Sequence, residues 1–331
     1  MLNIGSHALV LGAAGFLGSN LVRRLLSDGL SVTAVDSFER GCGGNEFHWQ
    51  GLSGPVTFVR GSIGDLAVAN EVVKGKDYIF DLAGNGAHQA SMREPVRDLE
   101  LNTAIHLALL EACRAHNPKA PIVFASTRQI YGAPDYLPVD EAHPVRPPDV
   151  NGINKFATEQ HMALYARVYG MRTVSMRLTN AYGPRQWIQS PAHGFIGWFL
   201  NRALLKQPIE LFGGGEQIRD FSYVDDTIDA LVRVAGTESC LNGRALNVSG
   251  ERASLIQVAE QLVKIAGGGS VVPVPFPKER KQIDIGNYYG SSVQLEALTG
   301  WKASVPLQDG LSRMFDYYRT HSSHYLSEPV S

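Results

Sequence analysis

Short apolar segments alternate with amphipathic segments along the first half of the chain. Residues His7–Leu11 form a compact apolar run that stops at Gly12, which predicts a buried strand. Residues 19–28 place apolar side chains on one helical face before Gly29, which predicts the first helix. Further strands are predicted at 32–35, 56–59, 78–82, 122–125 and 173–176, and further helices at 66–74, 102–115 and 153–169. Continuous apolar strands separated by helices predict a doubly wound parallel sheet, covered by helices on both faces.

This pattern ends near Pro184, and the second half predicts a smaller α+β unit over one edge of the sheet. Helices are predicted at 194–205, 225–234 and 254–266. Pro273, Pro275 and Pro277 predict an irregular extended stretch, because proline cannot sit inside a paired central strand. The predicted domains are residues 1–183, which 223–250 rejoin, and residues 184–222 with 251–320, followed by a loosely held polar tail at 321–331.

Composition narrows the possible function classes. The 331 residues, 44% hydrophobic and 19% charged, are enough to bury a sizeable core. A net charge of −2 argues against a nucleic acid or an anionic membrane as the main partner. The three cysteines are scattered, no histidine pair has metal-ligand spacing, and no apolar run reaches membrane-spanning length. We therefore expect a cytoplasmic protein without a metal or a disulfide framework.

A glycine-rich segment, residues 12–18 (GAAGFLG), follows the first predicted strand and opens the first predicted helix. Glycines let a pyrophosphate approach bare backbone, and a helix N-terminus offers it unpaired N–H groups. A purely structural glycine turn would also explain the segment. Asp36 ends the second predicted strand, where a carboxylate accepts hydrogen bonds from ribose hydroxyls and repels a 2′-phosphate. The two features together predict NAD binding rather than NADP binding.

Further motifs follow along the chain in the order that is typical of one family. With these motifs the chain resembles the extended short-chain dehydrogenase/reductases that act on nucleotide sugars, and in particular those of the UDP-glucose 4-epimerase type. The resemblance covers nearly the whole chain and implies a Rossmann domain with a smaller substrate domain. The motifs that carry it are GxxGFxG at 12–18, DLAG at 81–84, Ser91 with Pro95, Asn102, FASTRQIYG at 124–132, RLTNAYGP at 177–184 and QIRDFSYVDD at 217–226.

The resemblance also implies binding residues and partners. The substrate would be a nucleotide-diphosphate sugar, with a UDP-sugar expected, and the protein would form a homodimer through helices 102–115 and 153–169. The implied substrate contacts are Ser91, Thr127, Asn180, Arg219 and Arg280, although Ser91 also fits a structural loop. The implied NAD contacts are Gly12, Gly15, Phe16, Leu17, Gly18, Asp36, Ser62, Ile63, Leu82, Ala83, Asn102, Ala125, Lys155 and Thr179.

One departure from the family pattern concerns the redox step. In that family a Y-x-x-x-K motif supplies a tyrosine that takes a proton from a sugar hydroxyl and a lysine that holds the nicotinamide ribose. Here residues 151–155 read NGINK, so Lys155 is present and Asn151 replaces the tyrosine. An amide can orient a hydroxyl but cannot act as its base. Three explanations stay open: another group does the acid/base work (Thr127, Lys155, Tyr131 or a carboxylate from a loop), the protein binds without turnover, or residue 151 was changed to trap a complex.

A second departure narrows the reaction. Relatives that eliminate water or decarboxylate resemble one another in carrying an acid just after the position of Thr127, where this chain has Arg128 and Gln129. A cation and an amide cannot supply that acid, which disfavours a dehydratase. Arg128 either contacts an anionic sugar substituent or is simply a helix-end or surface arginine. We expect Trp187, Trp198 and Phe199 to pack the smaller domain rather than to stack on uracil.

These observations lead to one preferred function. The chain is expected to be an NAD-dependent nucleotide-sugar epimerase that works through a transient ketosugar. Its catalytic residues would be Thr127 and Lys155, with Asn151 where the usual base belongs. The alternatives are a dehydratase or oxidoreductase of the same family, or a protein that binds NAD and a nucleotide sugar without catalysis.

Overall fold

The computed structural model describes residues 2–190, 194–281 and 284–326, and its strands follow the apolar segments of the sequence. Most predicted strands lie within a residue or two of the observed ones. The strands in chain order are β1 (His7–Leu11), β2 (Ser31–Asp36), β3 (Val56–Arg60), β4 (Tyr78–Asp81), β5 (Ile122–Thr127), β6 (Thr173–Leu178), β7 (Asn180–Tyr182), β8 (Ile209–Phe212), β9 (Ile218–Tyr223), β10 (Ala245–Val248), β11 (Glu251–Ser254) and β12 (Val271–Val274).

The central sheet is parallel throughout, in the order β10-β6-β5-β4-β1-β2-β3. The chain starts at β1, moves outward through β2 and β3, and then crosses back to β4 on the other side. The two connections leave in opposite directions, so the loops after β1 and β4 open a crevice at the carboxyl edge of the sheet. The predicted doubly wound fold is therefore confirmed.

Helices cover both faces of this sheet and also build the smaller unit. Asp149 caps α6 by accepting a hydrogen bond from the backbone N–H of Gly152 (2.8 Å), and Gly170 ends that helix in the left-handed conformation. The helices are α1 (Phe16–Ser27), α2 (Leu66–Val72), α3 (His88–Arg93), α4 (Pro95–Leu99), α5 (Ile105–His116), α6 (Val150–Tyr169), α7 (Phe195–Leu204), α8 (Val224–Ala235), α9 (Leu255–Ala266), α10 (Lys278–Lys281), α11 (Val293–Thr299) and α12 (Leu307–His321).

The smaller unit contains two short sheets. In one, β9 pairs with β7 in parallel and with β11 in antiparallel orientation, and in the other β8 pairs with β12. The expectation that the stretch around Pro273 is irregular is wrong over Val271–Val274, which is paired. A two-stranded sheet leaves one edge of each strand open, and proline is tolerated on such an edge.

The described part of the C-terminal tail is packed, contrary to the expectation of a loosely held segment. Tyr325 is 5% exposed, and its hydroxyl lies 2.7 Å from Nε2 of His48 and 2.7 Å from the hydroxyl of Tyr317. The ring of His324 stacks on Phe47 with centroids 3.6 Å apart. The polar composition of the tail therefore gave no indication that its aromatic residues pack against the rest of the protein. Within the described residues, no helix is long and apolar enough to span a membrane.

Candidate functional site

The glycine-rich loop between β1 and α1 brings bare backbone to the carboxyl edge of the sheet. Gly12 has φ +71°, and a Cβ there would lie 2.6 Å from the carbonyl oxygen of Leu82. A Cβ on Gly18 would lie 2.0 Å from the carbonyl oxygen of Gly12, so both positions exclude a side chain. Gly15, the N-cap residue of α1, has no side chain with which to cap the helix. The positive end of α1 is thus left to an anion, which fits a dinucleotide pyrophosphate.

Asp36 lies at the end of β2, beside this loop. Its Oδ2 accepts a hydrogen bond from the N–H of Ala14 (2.8 Å) and its Oδ1 from the N–H of Phe38 (2.7 Å). Burial raises the pKa of Asp36, and these backbone N–H groups oppose that rise. The carboxylate is thereby fixed in one orientation and keeps lone pairs for further donors. It meets the geometric requirement for accepting ribose hydroxyls and for repelling a 2′-phosphate.

A cavity of about 290 Å³, which we call the cofactor cavity, lies between the glycine-rich loop, Asp36 and the loop after β4. Sequence reasoning missed the segment after β2 and the residues after β7, which also line it. Glycines at 41, 43 and 44 were the available signal, since loops that follow neighbouring parallel strands meet at one edge. The missed lining residues of these two segments are Ser37, Glu39, Cys42, Gly43, Gly44, Gln186 and Trp187. The predicted contacts that line it are Gly12, Gly15, Phe16, Leu17, Gly18, Asp36, Ser62, Ile63, Leu82 and Ala83.

Lys155 and Asn102 lie beyond this cavity, where β4 and β5 end. The Nζ of Lys155 donates to the carbonyl oxygen of Ala125 (3.0 Å), and burial lowers the pKa of Lys155 to about 8. The Oδ1 of Asn102 accepts from the N–H of Asn85 (3.1 Å). A Cβ on Gly84 would lie 2.6 Å from that Oδ1 and 3.3 Å from the Nζ of Lys155. These side chains therefore pack around the loop after β4.

Asn151 is 1% exposed and belongs to a buried cluster. Its Nδ2 donates to the carbonyl oxygen of Asn85 (2.7 Å) and to Oδ2 of Asp98 (3.1 Å). The amides of Asn102 and Asn154 donate to the same Asp98 carboxylate, at 3.0 Å and 2.8 Å. Both N–H bonds of the Asn151 amide are thus used inside the protein. Sequence reasoning did not find Asp98, because Asn151 and Asn154 lie 53 and 56 positions away from it along the chain.

Asp149 precedes Asn151 and connects three elements at the amino end of α6. Its Oδ1 accepts from the N–H of Gly152, and its Oδ2 accepts from Nε2 of Gln129 (3.0 Å). The Nδ1 of His88 lies 3.1 Å from the same Oδ2. Burial opposes the ionisation of Asp149, but the nearby His88 imidazole and the hydrogen bonds from Gly152 and Gln129 keep its pKa below the ordinary value. His88 and Asp149 were also missed by sequence reasoning.

Ser91 is almost fully buried and its hydroxyl is engaged twice. It donates to the carbonyl oxygen of His88 (2.7 Å) and accepts from the N–H of Asn151 (3.2 Å). The second of these bonds connects α3 to α6. The bonds fit a structural position, and a contact between Ser91 and the sugar stays a prediction.

Thr127 and Tyr131 were both considered as acid/base groups. Thr127 ends β5, is partly exposed, and accepts a hydrogen bond on Oγ1 from the N–H of Gln129 (3.1 Å). Tyr131 is fully buried, donates to Oδ1 of Asn247 (2.7 Å) and accepts from Nη1 of Arg177 (2.8 Å). Burial raises the pKa of Tyr131 to about 12. The hypothesis that Tyr131 replaces the missing base is therefore wrong, because the phenol is enclosed and partnered.

Arg128 is partly exposed and is the first residue of a 3-10 helix, Arg128–Tyr131, so it is a helix-end residue and not a fully exposed surface arginine. Its guanidinium carbon is 4.8 Å from the ring centroid of Tyr288. Burial lowers the pKa of Arg128, whereas Asp220 and Asp149 favour its charged form. No carboxylate among the described residues comes within ion-pair distance of its guanidinium. A charged group in this position can attract an anion.

Arg219 supplies a second cation near Arg128. It is 7% exposed, its Nη1 donates to the carbonyl oxygens of Ile218 (2.9 Å) and Gly286, and its Nη2 lies 3.5 Å from Oδ1 of Asp284. Burial, and next the nearby charge of Arg128, lower the pKa of Arg219 to about 10. Two neighbouring guanidinium groups favour an anionic ligand such as a diphosphate.

Thr179 and Asn180 follow β6 and both contact Asp220. The Nδ2 of Asn180 donates to the carbonyl oxygen of Asp220 (2.9 Å), and the hydroxyl of Thr179 donates to its carboxylate. Thr179 does not line the cofactor cavity. The side chain of Arg280 lies outside the described residues.

Phe199 and Trp198 pack as expected, whereas Trp187 also lines the cofactor cavity. Phe199 is 4% exposed in the core, and Trp198 packs against that core with its ring 5.6 Å from the guanidinium of Arg202. Trp187 lines the cofactor cavity and approaches Gly43, where a Cβ would lie 3.3 Å from the indole ring. It thus contributes to the wall of the cofactor site as well as to packing.

The fold and the cavity define a dinucleotide-dependent protein of the short-chain dehydrogenase/reductase type. The NAD dependent epimerase/dehydratase family model matches residues 8–249. This chain therefore belongs to the NAD-dependent epimerase/dehydratase family, and NAD is the cofactor of that family.

Relatives with known names extend over nearly the whole chain. The chain is similar to the UDP-glucose 4-epimerase of Mycolicibacterium smegmatis, with 30% identity over 96% of this chain and 99% of the relative. It is similar to the CDP-paratose 2-epimerase of Salmonella typhi, with 28% identity over 93% of this chain and 98% of the relative. The crystal structure of UDP-glucose 4-epimerase from Thermotoga maritima, with UDP-glucose, superposes with a TM-score of 0.87 at 28% identity, covering 96% of this chain and 99% of that one.

Proposed function

We propose that this chain binds NAD and catalyses the epimerisation of a nucleotide-diphosphate sugar, most simply a UDP-sugar, through a transient ketosugar. The observation that supports this is the arrangement along the crevice. Gly84, in the loop after β4, lines the cofactor cavity and lies beside the Nζ of Lys155, while Thr127 ends β5. The neighbouring cations of Arg128 and Arg219 would lie on the substrate side. The similar proteins include epimerases that are named for UDP-glucose and for CDP-paratose. The family, the cavity and the cations thus favour the same reaction class.

The residues around the cavity would hold the cofactor. The bare backbone of the loop at Gly12 and Gly15 would contact the pyrophosphate, and Asp36 would accept the hydroxyls of the adenosine ribose. Lys155 would hold the nicotinamide ribose, because its ammonium is buried beside the loop after β4. When bound, NAD supplies the acceptor for the hydride of a sugar carbon and returns it to the opposite face.

The residues on the other side of the crevice would orient the sugar nucleotide. The hydroxyl of Thr127 would hydrogen-bond the reacting hydroxyl group of the sugar. Asn180 and Arg219, together with Arg280, would bind the diphosphate. Asn151 has no ionisable proton, and its two N–H bonds are taken, so we assign it to positioning the end of α6.

A homodimer and a cytoplasmic location are parts of this proposal. Ile153, Leu164 and Val168 of α6 are 53%, 40% and 56% exposed, and their spacing puts them on one face of the helix. An exposed apolar stripe of this kind favours association with a second copy. Light scattering after gel filtration should give the mass of a dimer, and Leu164→Asp should shift it towards a monomer.

The proposal is tested with purified protein and a set of UDP-, CDP- and dTDP-sugars. Calorimetry should detect NAD binding, and NMR should detect conversion of one sugar into its epimer without net formation of NADH. Loss of water from the product would identify a dehydratase instead. Binding of NAD and a nucleotide sugar without any product would identify a protein that only binds. No affinity for NAD would refute the proposal at its first step.

A further inference from the structure

The replacement of tyrosine by Asn151 leaves the proposed reaction without its usual proton acceptor. Asp98 accepts three side-chain amides, and Tyr131 is enclosed. Lys155 already donates to Ala125 and is assigned to the ribose. These groups are therefore occupied, and the acceptor has to be sought among the side chains that face the amino end of α6.

His88 lies at this end of α6. It is the first residue of α3 and follows Gly86, which lines the cofactor cavity, by two positions. Its carbonyl oxygen accepts from Ser91, whose hydroxyl in turn accepts from the N–H of Asn151. Asn85 receives the Asn151 amide on its carbonyl oxygen. The backbone around His88 is thus connected, through Ser91 and Asn85, to Asn151, where the family tyrosine stands.

The two ring nitrogens of His88 have different surroundings. Nδ1 is buried and lies 3.1 Å from Oδ2 of Asp149, which is within ion-pair distance although the two atoms do not form a hydrogen bond. The side chain keeps 35% of its surface exposed. Among the described residues, no protein group is hydrogen-bonded to Nε2. One nitrogen is therefore oriented by a carboxylate and the other is available to a ligand.

Asp149 is itself rigidly placed. It caps α6 through Gly152 and accepts from Gln129, whose own N–H donates to the hydroxyl of Thr127. His88 and Thr127 are therefore connected through Asp149 and Gln129. A carboxylate, an imidazole and a hydroxyl connected in this way are the kinds of group that transfer a proton to and from a substrate hydroxyl.

We propose that His88 is the acid/base catalyst of this protein and that Asp149 positions its ring. This inference rests on the proposed epimerase function. In the oxidation step, the O–H and C–H bonds at one sugar carbon break and a C=O bond forms. The proton goes to Nε2 of His88 and the hydride goes to NAD. In the reduction step, both return, the hydride to the opposite face, so the cycle has no net oxidant.

The test compares His88→Ala with His116→Ala, which removes an exposed histidine at the far end of α5. Loss of a general base lowers kcat by about 100-fold to 10,000-fold. We expect a loss in that range for His88→Ala with unchanged affinities for NAD and UDP-glucose, and partial recovery on addition of imidazole. His116→Ala should behave as the wild type. Asp149→Asn, which can still cap α6, should lower kcat by about tenfold or more with little change in KM.

A second measurement does not depend on turnover. Diethyl pyrocarbonate modifies accessible imidazoles, and peptide mass spectrometry locates the modified residue. NAD together with UDP-glucose should protect His88 and leave His116 reactive. If the His88→Ala variant turns over at the wild-type rate, the inference is overturned while the proposed epimerase function stands. The same holds if the ligands do not slow the modification of His88. If the wild type turns over none of the nucleotide sugars, the proposed function fails first and the inference with it.

Discussion

Asn151→Ala tests whether the residue in place of the family tyrosine has a structural task. The substitution removes one hydrogen bond to the carbonyl oxygen of Asn85 and one to the carboxylate of Asp98, both inside the protein. A neutral hydrogen bond contributes about 0.5–1.5 kcal/mol and one to a charged group about 1.5–3 kcal/mol. We therefore expect the free energy of unfolding to fall by about 2–4 kcal/mol. Urea denaturation followed by tryptophan fluorescence measures this change.

Two further substitutions calibrate this result. Asn154→Ala removes a single hydrogen bond to the same carboxylate and should cost about 1.5–3 kcal/mol. Asn242→Ala, at an exposed loop position, should stay within about 0.5 kcal/mol of the wild type. Turnover per folded molecule of Asn151→Ala should fall far less than the roughly 100-fold loss expected for a general base. An Asn151→Ala variant with wild-type stability and about 100-fold lower turnover would refute the structural role of Asn151.

Three other substitutions test the cofactor and substrate sides. Asp36→Asn weakens the acceptor of the ribose hydroxyls, so calorimetry should show NAD affinity reduced by about tenfold, and an unchanged affinity would contradict the assignment. Burial lowers the pKa of Lys155 from 10.5 to about 8. Between these two pH values the unfolded chain keeps a proton that the folded chain has lost, so wild-type stability rises with pH across this window. Lys155→Met should therefore stabilise the protein by about 1–3 kcal/mol at pH 7, not at pH 11, while weakening NAD binding, and a loss of stability at pH 7 would contradict this sign. Arg128→Gln should raise KM for UDP-glucuronate more than for UDP-glucose if the guanidinium contacts a sugar carboxylate, and equal changes would exclude that contact.

Features that depend on neighbouring residues were predictable from the sequence. The strands, the glycine-rich loop and Asp36 follow from hydrophobic periodicity and from the rule that parallel strands end at one edge. The cluster around Asp98 does not, because it joins residues 53 positions apart, as Asp98 and Asn151 are. The same holds for Tyr325, whose packing against His48 connects residues 277 positions apart. Local patterns contain no information on such pairs.

The change at position 151 also alters what is required of Lys155. A phenol ionises near pH 10, so a tyrosine base needs a neighbouring cation to bring its pKa towards neutrality, whereas imidazoles titrate near neutral pH unaided. A chain that uses an imidazole therefore needs Lys155 only for the cofactor. The buried contacts of Lys155 with Ala125 and the loop at Gly84 fit this reduced task. The loss of the tyrosine and the presence of the His88–Asp149 pair are then two parts of one rearrangement at the amino end of α6.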